Sequence, residues 1–168
     1  MTKPIETDDG DAGLARIDRW VDLPCSGEQV WAEIGGFLAI ADWHPALASA
    51  EEVEIDGRRH RRVVTTYGAP ILERLVERGP RLLRVSVVES QLPLEAHQAT
   101  LTCVDRPGGC RVRWTAEFRS AHPRAAEIIA SIHDMGLAAL AERHGARSAA
   151  APAGGAAPSG DAALSAAS

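Results

Sequence analysis

What most constrains this chain is a spacing. From residue 47 to residue 120, stretches of alternating or apolar residues are separated only by the dipeptides Asp56-Gly57 and Gly79-Pro80, by short proline-bearing links at residues 68–70 and 91–94, and by Asp105-Arg106-Pro107-Gly108-Gly109. Connections this short join antiparallel neighbours, because a parallel crossover needs about a dozen residues or more. The pattern predicts strands over residues 47–55, 59–67, 71–77, 82–90, 95–104 and 111–118. An earlier strand, residues 15–23, is stopped by Pro24.

Helical signals bracket this meander. Ser26 can cap a helix, with Gln29 placed to reach back as a capping box and Val30, Trp31 and Ile34 forming the apolar face; Gly35-Gly36 ends it. Residues 37–42 predict a second short helix, closed at Trp43-His44-Pro45, where the proline biases His44 toward extended geometry. A long helix is predicted from Pro123 to just before Gly145. Ile128, Ile129, Ile132, Met135, Gly136, Ala139 and Leu140 share one side of it, with Glu127, Ser131, Asp134 and Glu142 largely opposite. At ~1.5 Å per residue, this helix is long enough to lie across a whole sheet.

Composition divides the chain into three parts. Residues 145–168 hold 11 Ala among 24 residues, with Arg147 and Asp161 as the only charges, a composition expected for a disordered tail. Residues 1–13 carry Lys3 against Glu6, Asp8, Asp9 and Asp11, an expected flexible acidic arm. The expected domain is residues 14–144, which contains every aromatic residue. Because the arm contributes −3 and the tail zero to the total of −5, the domain itself has a charge of only −2. The opening residues are polar and acidic, unlike a secretion signal, so a cytoplasmic location is expected. Three cysteines, Cys25, Cys103 and Cys110, with no CxxC pair, predict reduced and partly buried thiols.

The order of elements, a strand, two short helices, a meander and a long C-terminal helix, is that of the helix-grip fold. The stretch VDLPCSGEQVWAEIGGFLAIADWHPAL, with its P-x-x-x-V-W-x-x-I helix and W-H-P turn, resembles the start of the polyketide cyclase/dehydrase group of the START-related (SRPBCC) superfamily. ERL at residues 73–75, LPLEAHQATL at 92–101 and RVRWTAEF at 111–118 are similar to later segments of that group, so the resemblance spans residues 15–140. It implies an α+β helix-grip fold, in which a curved antiparallel sheet of about seven strands wraps around the C-terminal helix. It also implies a deep cavity for apolar, often aromatic or polyketide-like, small molecules. His97 stands where the group more often has an aromatic hydroxyl, and the Tyr67-Gly68-Ala69-Pro70 connection is short.

Alternation assigns side chains to faces, with arginines taken as outward. Ile71, Glu73 and Leu75 then point inward, as do Leu83, Val85, Val87 and Glu89, and Val112, Trp114, Ala116 and Phe118; His97, Ala99, Leu101 and Cys103 share one face. Glu73, Glu89 and His97 are therefore the candidate catalytic residues. Carboxyls and an imidazole in an apolar wall are the equipment for enolisation, dehydration or aldol-type closure. The plainer reading is that either glutamate pairs with an arginine and anchors the sheet. Trp43, His44, Tyr67, Trp114, His133 and Gly136 are the expected ligand-binding positions. His44 could instead fix its turn through backbone bonds, Trp43 could plug the core, His133 could serve in packing, and Gly136 should permit a close approach.

Other classes are disfavoured. Arg58-Arg59-His60-Arg61-Arg62 alternates between faces in a strand on a net-negative domain, so nucleic acid is not an expected partner. No ligand spacing suggests a metal, no phosphate loop or GxSxG element is present, and no apolar run suffices to span a membrane. The expectation is a monomer or homodimer that needs no cofactor and takes a small apolar ligand, as a cyclase or dehydratase. The alternatives are a non-catalytic carrier or sensor, or an accessory protein whose acidic arm engages a partner.

Overall fold

A computed structural model describes residues 13–145. Residues 1–12 of the expected arm, and the tail beyond Gly145, lie outside the described residues. The elements are β1 (Leu14–Leu23), α1 (Gly27–Ile34), α2 (Ile40–Trp43), β2 (Leu47–Ile55), β3 (Arg58–Thr65), β4 (Pro70–Gly79), β5 (Leu82–Glu89), β6 (Glu95–Arg106), β7 (Gly109–Arg119) and α3 (Ala125–Arg143). The strands form one seven-stranded antiparallel sheet in the order β1-β7-β6-β5-β4-β3-β2. This is the α+β helix-grip arrangement. The first strand pairs with the last and forms one edge of the sheet, against which α3 packs.

Local chemistry accounts for most boundaries. Ser26 Oγ accepts the Gln29 N–H at 3.2 Å and starts α1. Asp56 and Gly57 both adopt positive φ, 52° and 71°, as a tight turn between β2 and β3 requires. His44 takes φ −93° and ψ 118°, ending α2 ahead of Pro45. Two helix starts are later than the sequence predicts. Residues 37–39 form a turn, leaving only Ile40–Trp43 helical, and Pro123 lies in a turn in which Ala125 N–H donates to His122 O at 3.1 Å.

The core explains where space remains. Val21, Val30, Ile34, Val112, Leu137 and Leu140 are essentially inaccessible and clamp the C-terminal half of α3 over β1, β7 and α1. Each such side chain contributes roughly 1.5–3 kcal/mol on burial. A second cluster around Ile17, Phe118, Ala125 and Ile129 holds the other half. Arg19, inward on β1, reaches Asp134 of α3 at 2.9 Å. Because α3 is tied down chiefly along β1, the sheet's far side, β3 to β6, curves away from it and leaves an internal cavity. Among the described residues, no helix is long and apolar enough to cross a membrane.

Candidate functional site

The cavity has a volume of about 500 Å³ and lies between α3, the Tyr67 turn and the inner face of β3 to β6. That is within the usual range of small-molecule sites, roughly 300–1,000 Å³. Its wall is mostly apolar, including Val63, Ile71, Val85, Leu101 and Ile129, with Arg61, Thr65, Glu73, Ser90, His97 and His133 among the polar residues set into it.

Sheet irregularities decide which polar groups enter. Glu73 pairs with Val87 and faces inward. Leu72, however, pairs with Glu89, so Val88 is an extra residue on β5 and the alternation breaks there. Glu89 is consequently exposed and absent from the cavity wall, which corrects its expected inward position. A second bulge sits in β6 between Glu95 and Gln98, where Ala96 adopts φ 51°. It sends Glu95 outward and His97 inward. His97 is 4% exposed and lines the cavity.

Glu73 and His97 are thus brought together, and with them comes an arginine the sequence did not reveal. Arg61 lies directly across from Glu73 in the β3–β4 register, 3% exposed, with Nε donating to Glu73 Oε2 at 2.5 Å and Nη1 to Phe37 O at 2.5 Å. The rule that arginines point outward fails here because a carboxylate and a carbonyl satisfy the guanidinium inside. Its parity with Val63, two residues on, was the available signal. Two other arginines of the basic run pair across strands, Arg59 with Glu52 at 2.6 Å and Arg62 with Glu51 at 3.3 Å.

His97 is held in a defined tautomer. Its Nδ1 accepts the Val87 N–H at 3.0 Å, so the proton of the neutral ring sits on Nε2. Burial lowers its pKa, and the Glu73 carboxylate partly opposes that shift. Nε2 of His97 and Oε1 of Glu73 have no protein partner among the described residues. These two atoms therefore supply a hydrogen-bond donor and an acceptor on the cavity wall.

The remaining predicted positions divide in two. Trp43, Trp114 and His133 line the cavity, and Tyr67 stands at its mouth, 95% exposed. His133 stacks on Trp114 with ring centroids 4.1 Å apart, and burial pushes its pKa down to about 3. His44 and Gly136 lie behind the wall and are not among its lining residues. Ala46 N–H donates to His44 Nδ1 at 3.1 Å and His44 Nε2–H donates to Ile132 O at 2.8 Å, so backbone occupies both ring nitrogens; burial lowers the His44 pKa. A Cβ on Gly136 would lie 2.6 Å from His44 Cδ2 and 3.0 Å from both Trp43 and Trp114, which is the close approach a glycine permits. Among the described residues, no group of three or more His, Cys, Asp or Glu is arranged to hold a metal.

A helix gripped by a seven-stranded sheet, with an apolar cavity between them, defines a START-like domain. The sequence profile described as polyketide cyclase/dehydrase and lipid transport matches residues 15–145, and the chain belongs to that family. No curated protein matches. Among solved structures, the chain is similar to the protein XoxI from Bacillus cereus, with 26% identity and a TM-score of 0.72, over 77% of this chain and 94% of that one. It is also similar to a protein from Thermobifida fusca, with 31% identity and a TM-score of 0.65 over 77% and 93%. A START superfamily protein from Mycobacterium smegmatis shares the fold at 13% identity, with a TM-score of 0.58 over 76% and 92%.

Proposed function

We propose that this protein binds a small, largely apolar carbonyl compound of polyketide-like or aromatic type in the cavity and promotes its cyclisation or dehydration. The observation that carries this reading is the placement of Glu73 and His97 on one apolar wall, an acceptor and a donor with no other polar duty at Oε1 and Nε2. His97 Nε2–H would hydrogen-bond a ligand carbonyl, and Glu73 would accept a proton from the adjacent carbon as negative charge develops on that oxygen. Such help is worth roughly 10²–10⁴ in rate. The enclosing wall folds a flexible chain toward closure, an effect worth up to ~7–11 kcal/mol. Glu89 has no part in this reading.

A carrier or sensor is the second reading, favoured by one observation: Glu73 is already paired with Arg61. In that case the same groups only orient ligand.

Incubating poly-β-ketone intermediates with wild type, Glu73→Gln and His97→Ala separates the two. The catalytic reading expects turnover that falls at least about tenfold in each variant while binding persists. Stoichiometric binding without turnover in wild type leaves the carrier reading.

A further inference from the structure

A second cluster of reactive groups lies where the end of α3 runs beside α1, and none of its members lines the cavity. Cys25, between Pro24 and the α1 cap Ser26, places Sγ 3.3 Å from His144 Nδ1. The other ring nitrogen, Nε2, lies 2.8 Å from Glu33 Oε2. Glu33 in turn pairs through Oε1 with Arg143, whose guanidinium also donates to Asp42 O at 3.1 Å.

The proton positions follow from these partners. A carboxylate only accepts, so the Nε2–H of His144 donates to Glu33, and the Nδ1 lone pair faces the thiol. The order is nucleophile, base and orienting carboxylate, with Arg143 holding the carboxylate in place. The side chains of His144 and Glu33 are 11% and 25% exposed, and Cys25 is half-buried, so the sulfur is shielded yet reachable.

We propose that Cys25 is a reactive-thiol site, activated by His144 and oriented by Glu33, which takes small-molecule disulfides into a mixed disulfide. His144 removes the Cys25 proton, and the thiolate attacks one sulfur of the incoming disulfide. One S–S bond forms, one breaks, and the departing thiolate takes the proton from His144, so no further oxidant or reductant is needed. Disulfide exchange fits better than acyl transfer. The latter needs backbone donors for an oxyanion, and the Gly27 N–H beside Cys25 is already bonded to Asp105 Oδ1 at 3.1 Å.

The other two cysteines supply an internal contrast. Cys103 and Cys110 are 2% and 1% exposed, and burial raises both thiols, Cys110 to about 12.

The test uses the full reduced chain with oxidised glutathione near pH 7, followed by acid quenching and peptide mapping. Cys25 should take the adduct at least about tenfold faster than Cys103 or Cys110, and faster in the native chain than in the urea-unfolded chain. His144→Asn should slow it about tenfold at that pH, and the variant's rate should climb about tenfold per pH unit while that of wild type climbs less. Adduct forming first on Cys103 or Cys110 overturns the proposal. So does native Cys25 reacting no faster than in the unfolded chain, or a variant with the wild-type rate and pH dependence. The native-to-unfolded comparison needs no variant and decides the matter if His144→Asn fails to fold.

Discussion

The imidazole of His133 lies parallel to the indole of Trp114, 4.1 Å between ring centroids and 7° between planes, with Nδ1 buried and without a hydrogen-bond partner. The pair links α3 to β7 across the cavity wall. A ring stacked this way in a dry setting is kept neutral. Burial is the main cause; a backbone hydrogen bond to Trp114 opposes it, and the fields of His97, His44 and Arg19 add to it.

That neutrality makes stability depend on acid. Burial holds His133 down at about 3 when folded, against about 6.5 when unfolded. Between those values the unfolded chain binds the extra proton, so stability is full above about pH 6.5 and is lost as pH falls toward about 3, by up to ~1.4 kcal/mol per pH unit. Urea midpoints measured at about pH 7, 5 and 4 should fall less steeply for His133→Phe, which keeps a stacked ring but cannot be protonated. Identical slopes would contradict this account.

Gly136 is the second test of the same wall. Alanine improves helix propensity by up to ~1 kcal/mol. Its Cβ, however, would press on His44, Trp43 and Trp114, and overpacking of this kind costs about 1–3 kcal/mol. Gly136→Ala should therefore lower the denaturant midpoint, and Gly136→Val should lower it further. A gain in stability would show that the aromatic group yields easily.

The Arg61–Glu73 pair should behave as a buried ion pair. Arg61→Met leaves a carboxylate uncompensated in an apolar wall and should cost about 3–5 kcal/mol, whereas Arg61→Met combined with Glu73→Leu should recover most of that loss. A double-mutant cycle by urea unfolding reads the coupling directly. Additive effects of the two changes would mean the pair contributes nothing of its own.

The meander was legible because turn chemistry is local: Asp56-Gly57 and the loop before Cys110 fix antiparallel neighbours whatever the remote packing. The inner faces of β4 and β7 were legible for the same reason, since alternation runs unbroken from Ile71 to Leu75 and from Val112 to Phe118. What could not be read was parity beyond a bulge. Val88 reverses Glu89, and Ala96 adopts a backbone conformation that its side chain gives no hint of. Arg61 is not legible as an inward residue because its burial depends on a carbonyl from the α1–α2 turn and a carboxylate from the next strand, contacts that exist only after folding. His44 is legible as a turn residue from Pro45 beside it, but its backbone partner Ile132 lies on α3, far along the chain.

Calorimetric titration of a polycyclic aromatic phenol into wild type and into Ala99→Trp tests the central claim, occupancy of the cavity by an apolar ligand. Ala99 is 5% exposed and lines the cavity, so the larger ring projects into the space a ligand needs. Wild type should bind one equivalent with a negative heat-capacity change, and the substituted protein, at unchanged melting temperature, should lose at least about tenfold in affinity. Equal affinity in both proteins would place the ligand elsewhere and contradict the account.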